Sequence, residues 1–108
     1  NFSQNKGRVL ENIVFVELLR RGKEIYYYAG KNECDFLVKE GVNITEAIQV
    51  AWVSDQSSFR REYDGLQEAM QTYNLNRGML ITHNTVSELT SPDSHIETIP
   101  VWKWLLAN

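Results

Sequence analysis

The sequence predicts an α/β fold, a mixed sheet flanked by helices, from three observations. Residues 7–22 carry apolar side chains at helical spacing; residues 24–53 hold three β-branched and aromatic runs split by tight turns; a second helical period then precedes an apolar strand. The resulting order is α-β-β-β-α-β-β-β-α within one domain of 108 residues, a size that supports a single hydrophobic core.

In the first helix Leu10, Ile13, Val14, Glu17 and Leu18 fall on one stripe, with Val9 and Val16 widening it. Gly22 stops it, and Arg20, Arg21 and Lys23 suit the negative end of the helix dipole. Residues 24–29 (EIYYYA) form the first strand, Gly30-Lys31-Asn32 a turn, and residues 33–39 (ECDFLVK) the second strand. Residues 40–43 turn into a third strand over 44–53, completing a meander. Ser54 and Asp55 are placed to cap a second helix. Its Phe59, Tyr63, Leu66, Met70 and Tyr73 alternate by four and three, the spacing of a helix lying on a sheet. Residues 78–83 (GMLITH) read as a strand buried on both faces. Residues 85–89 and 95–99 read as a terminal hairpin around Pro92-Asp93. Pro100 opens a last short helix, in which at most one of Trp102 and Trp104 can face the core.

Net charge is -3. Proteins that live on duplex DNA are usually basic, because phosphate neutralisation supplies most non-specific affinity. Nucleic acid is therefore expected to be held weakly, at roughly 10⁻⁴ to 10⁻⁶ M or worse at physiological salt. No apolar run reaches the length needed to cross a bilayer, so no membrane association is expected. The lone Cys34 excludes an internal disulfide and fits a reducing, cytoplasmic setting. The chain begins with Asn1 and no charged-then-apolar leader, and reads as a piece of a longer protein. Gly30-Lys31 is not a phosphate loop, since Ile25 stands where the first glycine is needed and Asn32 where Ser or Thr is needed. His83 and His95 lack partners at metal spacing and are expected at the surface or at strand ends.

One constellation carries chemistry. Glu11 lies on the first helix, Glu33 and Asp35 share a face of the second strand by the two-residue period, and Gln49 sits midway along the third. Antiparallel neighbours should bring Asp35 and Gln49 within about 10 Å, with Glu11 facing the same cleft. This succession resembles the PD-(D/E)XK nuclease superfamily, whose restriction-endonuclease-like fold uses such acids to hold magnesium. A lysine there stabilises charge on the attacked phosphate. Placement of Asp35 and Gln49 on opposite sheet faces would sink the nuclease-like fold assignment itself.

The resemblance extends over residues 7–106. GRVLENIVFVELLRRG, ECDFLV, IQVAW, FRREYDGLQEAM and IPVWKWLL, in that order, are similar to a domain of unknown function. That domain follows an AAA-type P-loop module in many bacterial and archaeal ATPases. The resemblance implies a carboxy-terminal domain of a larger ATPase, with that amino-terminal module as its partner. Family members that keep the nuclease pattern read acid-x-Lys on the third strand, where this chain has Gln49 and Ala51. Glutamine brings no charge to a metal, and alanine does nothing for a phosphoryl transition state; one preorganised charge is worth on the order of a hundredfold in rate. Glu46 faces away from Gln49 by parity, Lys39 is roughly 13 Å from Asp35 along the strand, and Lys31 or Arg61 are the remaining cations to replace the lysine.

The resemblance implies magnesium, at Glu11, Glu33 and Asp35, only if the site works. The structural alternative is that Asp35 bonds backbone amides and Glu11 pairs with Arg8. Three functions therefore stand. The first is an accessory docking or binding domain with a degenerate site; the second is a magnesium-dependent nuclease using Glu11, Glu33, Asp35 and Gln49 with a displaced cation. The third is a homo-oligomerisation module resting on an exposed tryptophan and the hairpin edge.

Overall fold

The computed structural model describes residues 2–53, 55–84 and 93–107. Its elements are α1 (Phe2–Arg20), β1 (Glu24–Ala29), β2 (Glu33–Glu40), β3 (Asn43–Ala51), α2 (Gln56–Thr72), β4 (Gly78–Thr82), β5 (Ile96–Pro100) and α3 (Val101–Leu106). Five strands form one sheet in the order β1-β2-β3-β4-β5. The β1–β2 and β2–β3 pairs are antiparallel, whereas β3–β4 and β4–β5 are parallel. The expected mixed sheet flanked by helices is therefore present. Of the expected terminal hairpin, the half at residues 95–99 is present as a strand. Ile96–Pro100 lies parallel to β4, and the other half of that hairpin, residues 85–89, lies outside the described residues.

The sheet divides two cores. On one side Phe59, Tyr63, Leu66 and Met70 of α2 pack on Cys34, Leu37, Ala47, Ala51 and Leu80. On the other, Leu10, Val14 and Leu18 of α1 and Trp104 of α3 cover Phe36, Val38, Ile48, Val50, Ile81 and Ile99. Burying each large side chain contributes about 1.5–3 kcal/mol, so the stripes on α1 and α2 hold the helices to the sheet. The buried stripe of α1 is narrower than the sequence suggests. Val9, Ile13 and Val16 are exposed, because the sheet reaches only the Leu10–Val14–Leu18 edge of the helix. Trp104 is buried and Trp102 exposed, so one tryptophan of the last helix does face the core.

Helix ends follow local chemistry. Gly22 has φ +76; the Lys23 N–H bonds to the Leu18 carbonyl at 3.0 Å and the Gly22 N–H to Leu19 at 2.9 Å. This paired closure needs a residue tolerant of positive φ. At α2, Asp55 Oδ1 accepts from the Ser58 N–H at 2.8 Å while Ser58 Oγ accepts from the Asp55 N–H at 3.3 Å, a reciprocal cap.

A bulge in β2 sets which way its side chains face. Tyr26 pairs with Leu37 and Tyr28 with Cys34, so two steps along β1 match three along β2. The extra residue breaks the alternation at Asp35 and Phe36. Cys34 and Leu37 then face α2, while Phe36 faces α1.

Candidate functional site

Strands β2 and β3 pair from Glu40–Asn43 as far as Phe36–Ile48. Past that point side chains replace the ladder. Gln49 Oε1 accepts from the Asp35 N–H at 2.8 Å, and its Nε2 donates to the Glu33 carbonyl at 2.9 Å and to the Glu62 carbonyl of α2 at 3.0 Å. In return Asp35 Oδ2 accepts from the Val50 N–H at 2.9 Å. The Cys34 thiol donates to the Ile48 carbonyl at 3.4 Å. Gln49 is only 2% exposed, and a glutamine amide offers one carbonyl oxygen and two N–H bonds. Both N–H bonds and the oxygen are engaged, so Gln49 ties β2, β3 and α2 into one clasp. Leaving any of these buried groups unpaired costs about 1–3 kcal/mol. The close approach of α2 depends on Gly65, where a Cβ would overlap the Glu33 carbonyl oxygen and stand 2.8 Å from Gln49 Nε2.

Asp35 looks the other way. It lines a cleft of about 380 Å³ with Gly7, Arg8 and Glu11 of α1, Val50 near the end of β3 and Trp52 just beyond it, and Arg61 and Glu62 of α2. Gln49 does not line it. It shares the face of Ala47 and Ala51, which pack under α2, and it bonds the backbone of that helix. The expectation that Asp35 and Gln49 would open together onto Glu11's cleft is corrected. The two residues are neighbours, but the β2 bulge swings the Asp35 carboxylate to the α1 side. Glu33 is exposed and hydrogen-bonds the Tyr27 hydroxyl, whose pKa rises to about 12. Glu11 faces Asp35 across the cleft.

Burial pushes the Asp35 carboxyl up to about 7, against the pull of the Val50 N–H, and the negative charges of Glu11, Glu62 and Glu33 push the same way. Glu62 is also raised, first by burial, with Arg61 opposing and Glu11 and Glu33 assisting. Magnesium does not fit this arrangement. The carbonyl oxygen of Gln49 already serves the Asp35 amide, and among the described residues no three His, Cys, Asp or Glu side chains group to hold a metal ion. Of the substitute cations, Lys39 pairs with Glu24 at 3.7 Å, Lys31 is exposed in the β1–β2 turn, and Arg61 lines the cleft.

Sequence reasoning missed Glu62 as a member of this cleft, and Gly65 as the point where α2 comes closest to β2. A lone glycine inside an amphipathic helix was the available signal for close backbone approach. His83 stacks on Trp52 with ring centroids 4.1 Å apart, and Lys6 Nζ lies 4.9 Å from the Trp52 ring centre. His95 is exposed and bonds Asp93 at 3.2 Å.

The raised Asp35 carboxyl has a measurable consequence. Between the ordinary carboxylate range and about pH 7 the folded protein keeps a proton that the unfolded chain has released. Stability therefore falls as pH rises from about 4 to about 7 and stays lower above. Burial lowers the His83 pKa, which acts in the opposite sense over an overlapping range. Comparison with Asp35→Asn, whose amide oxygen still accepts from Val50, isolates the carboxyl. Urea unfolding should show the protein losing on the order of a few kcal/mol relative to the variant between pH 5 and pH 8. A pH-independent difference would show that Asp35 is ionised throughout.

A family profile described as a domain of unknown function (DUF4143) matches residues 6–104. An uncharacterized protein of Methanocaldococcus jannaschii, MJ1544, is 39% identical over 117 residues, covering 98% of this chain and 26% of that protein. The chain thus spans about a quarter of the length of this relative. No solved structure matches it.

Proposed function

The chain belongs to the DUF4143 family of domains of unknown function, and from that premise we propose that it is a non-catalytic accessory domain carried at the carboxy-terminal end of a cytoplasmic P-loop ATPase. The observation that carries this is the clasp. Gln49, which occupies the family's metal-ligand position, spends its oxygen and both N–H bonds on the backbone of β2 and α2. Ala51, at the lysine position, is buried in the core under α2 beside Phe59 and Tyr63. A side chain that holds the fold together is not free to hold a metal.

The order of elements and the succession of two antiparallel and two parallel strand pairs are those of a mixed α/β sheet flanked by helices. The opposite facing of Asp35 and Gln49 is the outcome that sinks the nuclease-like fold assignment, and a working nuclease site with it. An ATPase context draws support from the resemblance over residues 7–106, and the archaeal relative is long enough to hold further domains. The docking surface would be the outer side of α1 and α3, where Val9, Val16, Leu19, Trp102 and Leu106 are each more than half exposed. No helix among the described residues is long and apolar enough to cross a membrane.

The test is direct. With magnesium or manganese, the protein should leave single- and double-stranded DNA intact. Metal-dependent cleavage that disappears in Asp35→Ala would replace the accessory role by a nuclease in which Arg61 stands in for the missing lysine.

A further inference from the structure

We propose that a second cleft, on the α1 side of the sheet but at the other end of that helix, binds a small organic anion with an apolar body. The cleft measures about 570 Å³, within the range of roughly 300–1,000 Å³ that small-molecule sites occupy. Its floor is apolar: Leu18, Val38 and Ile48 are nearly fully buried, and Met79 is half-buried. Its rim carries Lys23, delivered by the Gly22 turn that ends α1, and Arg77, which immediately precedes β4.

Two of the wall cations are already committed. Arg20 and Arg21 share Glu17 at 2.6 and 2.7 Å. Arg21 also donates to the Trp104 carbonyl at 2.9 Å and to Ala107 at 2.6 Å, fixing α1 to α3 and closing one side of the cleft. Lys23 and Arg77 are different: neither side chain has an ion pair within 4.0 Å or a hydrogen bond among the described residues. Both act through space on Glu46, the one carboxylate that lines the cleft. Two uncommitted cations therefore face the one carboxylate of the lining, with Glu40 and Glu97 acting on it from farther off.

Charge-assisted bonds from Lys23 and Arg77 would hold an anionic group at the rim, while the apolar body covers Val38, Ile48 and Met79. Burial keeps the Glu46 carboxyl above the ordinary range, with Arg77 and Lys23 opposing and Glu40 and Glu97 assisting. An arriving anion raises it further, so Glu46 opposes binding when ionised and stops opposing it when protonated. The site is independent of the Asp35 cleft and of the accessory role proposed above.

The probe is 8-anilinonaphthalene-1-sulfonate, an aromatic body with one sulfonate, titrated by fluorescence and mapped by amide chemical shifts. The expected result is one saturable site, with shifts at Lys23, Glu46, Arg77 and Met79. Arg77→Gln and Lys23→Gln should each weaken binding by up to roughly tenfold, the equivalent of one charge-assisted bond. Glu46→Gln should tighten it severalfold, an opposite sign that a merely structural role would not produce. N-phenyl-1-naphthylamine, which lacks the sulfonate, should bind at least tenfold more weakly. The proposal is overturned if the uncharged probe binds equally well or if the cation variants leave affinity unchanged. It also fails if no saturable site exists, or if the shifts centre on Val9 and Val16.

Discussion

Replacing Gly65 with alanine is expected to lower the melting temperature by roughly 10–20 °C. In a helix interior alanine is normally favoured over glycine by about 1 kcal/mol, so the sign of this effect is the informative part. A Cβ at residue 65 would overlap the Glu33 carbonyl oxygen and press on Gln49 Nε2 at 2.8 Å. Glu33 contributes backbone, and Gln49 is pinned by three hydrogen bonds, so neither yields easily. Either α2 lifts from the sheet or the clasp opens. Overpacking of this kind costs about 1–3 kcal/mol, and each unpaired buried group about 1–3 more. After the propensity gain, a net loss of about 2–4 kcal/mol remains, and each kcal/mol moves the midpoint by roughly 4–8 °C in a domain of this size. Gly7→Ala is the control. A Cβ there meets nothing within 4 Å, so the substitution should be neutral or stabilise by up to about 1 kcal/mol. Equal effects at the two glycines would remove the clasp as an element of stability.

Installing an acid-x-Lys pattern with Gln49→Glu and Ala51→Lys is expected to unfold the protein near neutral pH. A carboxylate at residue 49 can still accept from the Asp35 N–H, but it has no N–H to give the Glu33 and Glu62 carbonyls. It would set negative charge against two acceptors in a site that is 2% exposed. The loss should be about 3–5 kcal/mol, and it should ease as pH falls and the carboxyl gains a proton it can donate. Lysine at residue 51 would enter the core beside Phe59 and Tyr63, where Ala51 is 4% exposed. Burying that ammonium without a partner adds several kcal/mol. Together the changes rival the whole stability of an ordinary domain, about 5–15 kcal/mol. Circular dichroism should show the double variant largely unfolded at pH 7. A variant that melts within a few degrees of the parent would mean that residue 49 has room to turn out of the clasp.

Much of this molecule is written in local pattern. Period-four and period-three spacing places α1 and α2, and the alternating aromatic and β-branched runs place β1, β2 and β3 within a few residues. At most one of the two tryptophans in the last helix can face the core, and Trp104 does. These features depend on neighbours along the chain, and burial on one side of a helix or strand selects them. Gln49 and Ala51, where the nuclease resemblance leads one to expect an acid and a lysine, are visible for the same reason: each is a single residue in a recognisable run.

What tertiary structure decided lies in partners far apart in sequence. Which side of α1 is buried depends on where the sheet ends, so periodicity alone misplaces Val9, Ile13 and Val16 on the core face. The parallel seat of β5 against β4 depends on a crossover that no local signal encodes. The face of Asp35 escapes parity because parity assumes an unbroken strand, whereas pairing of Tyr26 with Leu37 and Tyr28 with Cys34 forces an extra residue into β2. On its strand alone, Gln49 has the look of a weakened metal ligand. Its amide becomes a structural tie because Gly65 lets α2 bring the Glu62 carbonyl to 3.0 Å, and the hydrogen-bonding capacity of a buried amide is finite.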